Sequence, residues 1–125
     1  VPELQKETVV YIADTMGEMG LWYSMVSIAF IGGSLVEKGG HNPVEAAQLE
    51  TFILHGPFTY NAEDKYYQLN SLGVGVQIEN ADTLANELKI LRNKDPNKEF
   101  KRIKPFLQQN DTALITALDT IRLAI

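Results

Sequence analysis

Cysteine is absent from this 125-residue sequence. Disulfide staples, zinc ribbons, thiolate nucleophiles and iron–sulfur ligation all need a thiol and are excluded together. Positive charge is scarce as well, with 11 Lys and Arg against 16 Asp and Glu and a formal net charge of −5. Nucleic-acid binding by bulk electrostatics draws on clustered cations and counterion release, so it is excluded here and only local anion binding remains. The one basic cluster, Lys94, Lys98, Lys101, Arg102 and Lys104, is interleaved with Asp95 and Glu99 and reads as a solvated helix face. A membrane span is missing too. Met19 to Val36 carries no formal charge, but its glycines, its serines and a switch from helical to extended character at Ser27 break it into two pieces. There are two histidines, with no HxxxH, HxH or facial carboxylate spacing, so no metal site is indicated. No G-x-S-x-G elbow or other nucleophile–base pair is present, and no catalytic residue is assigned. The chain opens at Val1 with neither an initiator Met nor a signal peptide, as expected of a processed chain or of a piece of a longer one.

The composition that remains suits one globular domain of ordinary size. Thr8 to Ala13 is a β-branched and aromatic run of strand length that leads into Asp14-Thr15, two good helix caps. Leu21, Trp22, Met25 and Val26 recur at helical spacing, so a helix runs from about Glu18 to Val26. Ile28 to Ile31 is a short apolar run closed by Gly32-Gly33, as expected of a strand covered on both faces. The same logic predicts helices over Pro43 to Leu49, Asn61 to Leu72 and Asp82 to Arg92, and strands over Phe52 to Leu54 and Val74 to Ile78. Two further helices are predicted after Pro96 and Asp111. Single helices between short buried strands indicate an α/β fold with a Rossmann-like parallel sheet of the doubly wound kind. Ligands of such sheets sit beyond the carboxyl ends of the strands, which directs attention to Asp14 to Glu18, Gly32 to Glu45 and His55 to Asn61.

The densest signal is GGSLVEKGGHNPVE, Gly32 to Glu45, with four glycines and an Asn-Pro helix start after a buried strand. The spacing predicts Asn42 as N-cap, Pro43 as first helical residue and Glu45 as the third, the pattern of a capping box. Two readings stand side by side: a helix cap, or an anion site made of first-turn amides reached through a glycine-rich loop. The loop matches neither GxGxxG nor GxxxxGK[ST], which disfavours nicotinamide cofactors and NTP hydrolysis, and no cofactor is implied. DTMGEMG, Asp14 to Gly20, places Gly17 and Glu18 toward the same crevice, where a carboxylate reads ribose hydroxyls or simply favours a helix start. His41 and His55 follow successive strands and either meet at the site or serve as structural hydrogen-bonders. GPFTYN, Gly56 to Asn61, reads as a turn with Asn61 capping the next helix.

Taken in order, DTMGEMGLWYSMVSIAFIGGSLVEKGGHNPVEAA and then GPFTYN resemble the carboxyl-terminal nucleotide-sugar-binding domain of bacterial 3-deoxy-D-manno-octulosonic acid (Kdo) transferases, closely over Thr8 to Arg92. The resemblance implies the C-terminal half of a two-domain GT-B glycosyltransferase, inverting and metal-independent. Such an enzyme moves Kdo from CMP-Kdo onto the lipid A precursor in lipopolysaccharide biosynthesis, at the cytoplasmic face of the bacterial inner membrane. Residues 1–125 would then be a partial CMP-Kdo-binding domain without the N-terminal acceptor domain. By the match, Met16, Gly17, Glu18, Asn42, Pro43, Val44 and Glu45 correspond to CMP-contacting segments, and Gly33 and Ser34 join them in binding the donor. The family's catalytic Glu, its acceptor-binding and membrane-associating segments and a Pro-Arg CMP contact belong upstream of Val1, so the isolated chain is expected to be soluble and catalytically silent. In the 3-2-1-4-5-6 order two further strands belong between the strand at Thr8 and the one at Ile28. Two alternatives are another GT-B sugar-nucleotide transferase and a flavodoxin-like or receiver-like binding module. The receiver reading needs a phosphoacceptor, for which Asp14 is the candidate, and a later Lys that is missing after the third strand.

Overall fold

The computed structural model describes residues 5–13 and 17–110. Eight elements follow one another: α1 (Met19–Met25), β1 (Ile28–Phe30), α2 (Val44–Gln48), β2 (Phe52–His55), α3 (Glu63–Ser71), β3 (Gly75–Gln77), α4 (Ala81–Leu91) and α5 (Pro96–Asn110). The three strands form one parallel sheet in the order β1-β2-β3, with Ile28 opposite Phe52 and Ile53 opposite Gly75. The ladder runs past the strand ends. Ile31 N–H donates to Leu54 O at 2.9 Å and Ile78 N–H to His55 O at 2.7 Å. This is the expected parallel α/β architecture, with one helix in each crossover.

β2 is central and every residue of it is buried, which is why Phe52 to Leu54 reads as an unbroken apolar run rather than an alternating one. Ala46 and Ala47 of α2, Tyr66 and Leu69 of α3, and Phe100 and Ile103 of α5 close the core around it. The Phe52 and Phe100 rings lie 5.9 Å apart. The basic cluster behaves as a helix face. Arg102 reaches Glu99 at 3.3 Å and donates to Leu72 O at 3.2 Å, satisfying a carbonyl at the end of α3. α3 ends as expected at Gly73, whose φ of +80° suits glycine.

α4 has a true capping box that the sequence reading did not single out. Asn80 Oδ1 accepts from Thr83 N–H at 3.0 Å, and Thr83 Oγ1 accepts from Asn80 N–H at 3.1 Å. Asn80→Ala is expected to lower the unfolding free energy by about 1 kcal/mol. Urea titrations followed by circular dichroism would measure it, and an unchanged midpoint would show that the box adds nothing.

The expected strand at Thr8 to Ala13 is not formed. Val9, Val10 and Ile12 are 93%, 78% and 79% exposed, and the segment pairs with no described strand. Its β propensity is real but strands are stabilised by a neighbour's backbone. The described sheet ends at β1, and the segment adds no strand to that edge. Tyr11 instead rests against Trp22, ring centroids 5.3 Å apart. The helix predicted after Asp111 lies outside the described residues. Among the described residues no helix is long and apolar enough to cross a membrane.

Candidate functional site

The glycine-rich loop leaves the carboxyl end of β1 and folds back on itself. Gly40 N–H donates to Gly33 O at 2.9 Å and His41 N–H to Gly32 O at 3.2 Å, while Gly33, Gly39 and Gly40 all have positive φ. Leu35 to Lys38 form the exposed tip. The loop after β2 grips this one along its length. Gly56 N–H donates to Ser34 Oγ (2.9 Å), Phe58 N–H to Ser34 O (2.9 Å) and Tyr60 Oη to Glu37 O (2.9 Å). Asn61 Nδ2 donates to Lys38 O at 2.8 Å and to Gly40 O at 3.2 Å. GPFTYN is therefore a clamp on the glycine loop. Asn61 is not the cap of α3: Ala62 holds that position with no side-chain cap, because the Asn61 amide is spent on two loop carbonyls.

Three assignments at the site shift. Pro43, not Asn42, is the N-cap of α2, and the helix begins at Val44, so the predicted Asn42–Glu45 capping box is not formed. Asn42 Oδ1 accepts from Val44 N–H at 2.9 Å, a side-chain turn two residues long rather than the three a capping box needs. That bond occupies the Val44 amide, and Pro43 has none. Ala47 is the first residue whose amide meets a helix-start carbonyl, that of Pro43 at 3.2 Å. The amides of Asn42 and Glu45 meet no acceptor among the described residues. Ser34 is fully buried, with Oγ donating to Ile31 O at 2.6 Å while accepting from Gly56 N–H. Its hydroxyl is committed to joining the two loops and has no face left for a ligand.

The histidines separate. His55 is buried, with Nδ1 2.6 Å from Gly56 O and Nε2 3.0 Å from Asn70 Oδ1, so both ring nitrogens are taken and the structural role holds. His41 is exposed, and its ring edge lies over the open face of Gly33. Glu45 stands in the first turn of α2 and faces α1. The Tyr23 phenol is pushed above its ordinary pKa by burial and then by the Glu45 carboxylate. Glu18 is half-buried at the start of α1, where its carbonyl accepts from Trp22 N–H at 3.1 Å, and Gly17 is exposed with φ of +85°. Met16, and Asp14 of the receiver alternative, lie outside the described residues.

One residue that sequence reasoning missed belongs to the site. Tyr66, buried in α3, donates its hydroxyl to His41 O. The available signal was a phenol on the inward face beside Leu69, three residues on, since a buried phenol demands an acceptor.

No family model matches the chain. A 3-deoxy-D-manno-octulosonic acid transferase of Rickettsia typhi is 35% identical over 117 residues, 90% of this chain and 25% of that protein. One from Haemophilus influenzae is 33% identical over 96% of this chain and 29% of its own length. The crystal structure of the C-terminal CMP-Kdo binding domain of WaaA from Acinetobacter baumannii superposes with a TM-score of 0.67 at 26% identity, covering 77% of this chain and 51% of that one. The chain belongs to the 3-deoxy-D-manno-octulosonic acid transferase family. It spans between a quarter and a third of the length of these curated transferases and about half of the solved domain. In Kdo transferase terms, β1 to β3 and the two clamped loops correspond to part of the C-terminal domain solved for WaaA.

Proposed function

We propose that this chain is part of the donor-binding domain of a Kdo transferase and holds CMP-Kdo beyond the carboxyl ends of β1 and β2. The supporting observation is the turn at His41 to Glu45. A clamped loop presents the Asn42 and Glu45 amides without internal acceptors, next to a half-buried carboxylate. Backbone amides at a helix start suit the CMP phosphate, and α2 is only five residues long, so individual N–H groups matter more than a macrodipole. Gly33 lets the ligand approach the backbone, while Glu45, and Glu18 with Gly17 from the α1 side, read hydroxyls of the ribose or of the transferred sugar. Asn42 shapes the turn through its bond to Val44. Pro43, buried, and Val44 give it rigidity, and Ser34 acts from behind as a framework residue.

The full reaction follows the same reading. Kdo passes from CMP-Kdo to a lipid A precursor at the cytoplasmic face of the inner membrane, and the acceptor and the membrane are engaged by parts of the protein other than this chain. The test is a calorimetric titration of CMP into the chain, with Asn42→Ala and Glu45→Ala beside it. Each variant is expected to bind about tenfold more weakly. Glu45→Ala loses one hydrogen bond to a charged carboxylate, and in Asn42→Ala the turn that aims the two amides is no longer fixed by the bond to Val44 N–H. No CMP binding by the unaltered chain, or binding by both variants as tight as that of the unaltered chain, overturns the reading. Preference for UDP or GDP over CMP in competition would favour another sugar-nucleotide transferase.

A further inference from the structure

Two loops carry the donor site, but the contact aimed most directly at it comes from a helix. Tyr66 is 1% exposed, its ring stacks at a tilt on His55 with centroids 4.6 Å apart, and its hydroxyl donates to the carbonyl of His41. That carbonyl belongs to the peptide group that joins His41 to Asn42. No peptide among the described residues is cis, and in a trans peptide the C=O and the following N–H lie in one plane and point opposite ways. Holding the His41 oxygen toward α3 therefore sends the Asn42 N–H away from α3 and out of the loop. The neighbouring backbone is built to let the phenol reach. A Cβ at Gly40 would lie 3.2 Å from the Tyr66 hydroxyl, in the path of that contact. His55 backs the ring, and with both its nitrogens occupied it does not compete for the phenol.

We infer that Tyr66 is a positioning residue of the donor site, which aims the Asn42 amide at the anion by locking the His41–Asn42 peptide plane. This rests on the donor-site reading for its ligand but not for its geometry. Burial keeps the phenol in its protonated, donating form throughout the neutral range, since its pKa is pushed up to about 12. Core packing alone would be served equally by Phe, so the hydroxyl is the part that carries the role.

The experiment compares the full chain with Tyr66→Phe and with a chain carrying p-aminophenylalanine in place of Tyr66, which restores an N–H donor at the same point. Two quantities are read: CMP affinity by calorimetry, and the Asn42 backbone amide cross-peak by NMR without ligand. The nitrogen shift of that amide responds to a hydrogen bond on the preceding carbonyl. In Tyr66→Phe the Asn42 cross-peak is expected to move while those of Ile53 and Leu54 in β2 stay in place. CMP binding should weaken about fivefold to tenfold, the range of one neutral hydrogen bond, and the amine should restore both. An unmoved Asn42 cross-peak overturns the inference. So does an unchanged affinity, or a loss of binding that only tracks a fall in thermal midpoint. If the unaltered chain binds no CMP, the donor-site reading fails by itself, and the cross-peak still decides whether Tyr66 sets the peptide plane.

Discussion

Gly56→Ala is expected to lower the unfolding free energy by about 3 kcal/mol, the largest effect of any single methyl group added to the two clamped loops. A Cβ at this position would lie 2.3 Å from Ser34 O and 2.6 Å from Ser34 C. Both are backbone atoms, so no side chain can rotate aside, and overpacking of this kind costs ~1 to 3 kcal/mol or more. Relief requires the loops to part, which also stretches the bonds from Gly56 N–H to Ser34 Oγ and from Phe58 N–H to Ser34 O. The glycine loop would then lose its clamp nearest the sheet, and CMP affinity should fall with stability. Urea unfolding followed by circular dichroism measures the first effect. A shift below about 1 kcal/mol would mean that the loops separate easily, contrary to the close approach at Ser34.

The second large effect is alkaline. Burial, and then the neighbouring Tyr23, push the Tyr66 hydroxyl from its ordinary 10.0 up to about 12. Tyr23 is pushed up as well, by burial and by Glu45. A folded-state pKa above the unfolded one means that the native state holds its proton more tightly. The associated stability is complete below pH 10 and drains away as the pH climbs through 12. Two pH units correspond to roughly 2 to 3 kcal/mol. Above that range the phenolate can no longer donate to His41 O, so the loop loosens as the fold weakens. The check is the unfolding free energy of the unaltered chain minus that of Tyr66→Phe, followed from pH 9 to pH 12.5 together with phenolate absorbance. The difference should shrink by this amount between pH 10 and 12. A flat difference would show that Tyr66 titrates as it does in water.

Much of the architecture was legible because short buried strands and the helices between them carry local signals. The run Phe52 to Leu54 announces a strand covered on both faces, and Gly73 announces the end of a helix. The segment at Thr8 to Ala13 shows the limit of that reading. Its residues favour a strand, yet a strand is a relation between two backbones, and no described strand pairs with it. Caps were read to within one residue at α2 and α3. Asn42 and Asn61 each have other carbonyls or amides within reach, and only their tertiary positions decide which bond wins.

The candidate site divides along the same line. The linear order of DTMGEMG, GGHNPVE and GPFTYN was enough to indicate the Kdo transferase family, because the segments that carry the resemblance are contiguous loops. Only the folded chain decided which groups of these loops are already committed to partners. It turned Ser34 inward, spent the Val44 amide on Asn42, buried His55 beneath the loops and brought Tyr66 onto the His41 carbonyl from 25 residues away in the chain. The reason is physical. Local propensity and residue type establish which groups need partners, whereas the choice of partner is made by the packing that brings distant groups within hydrogen-bond range.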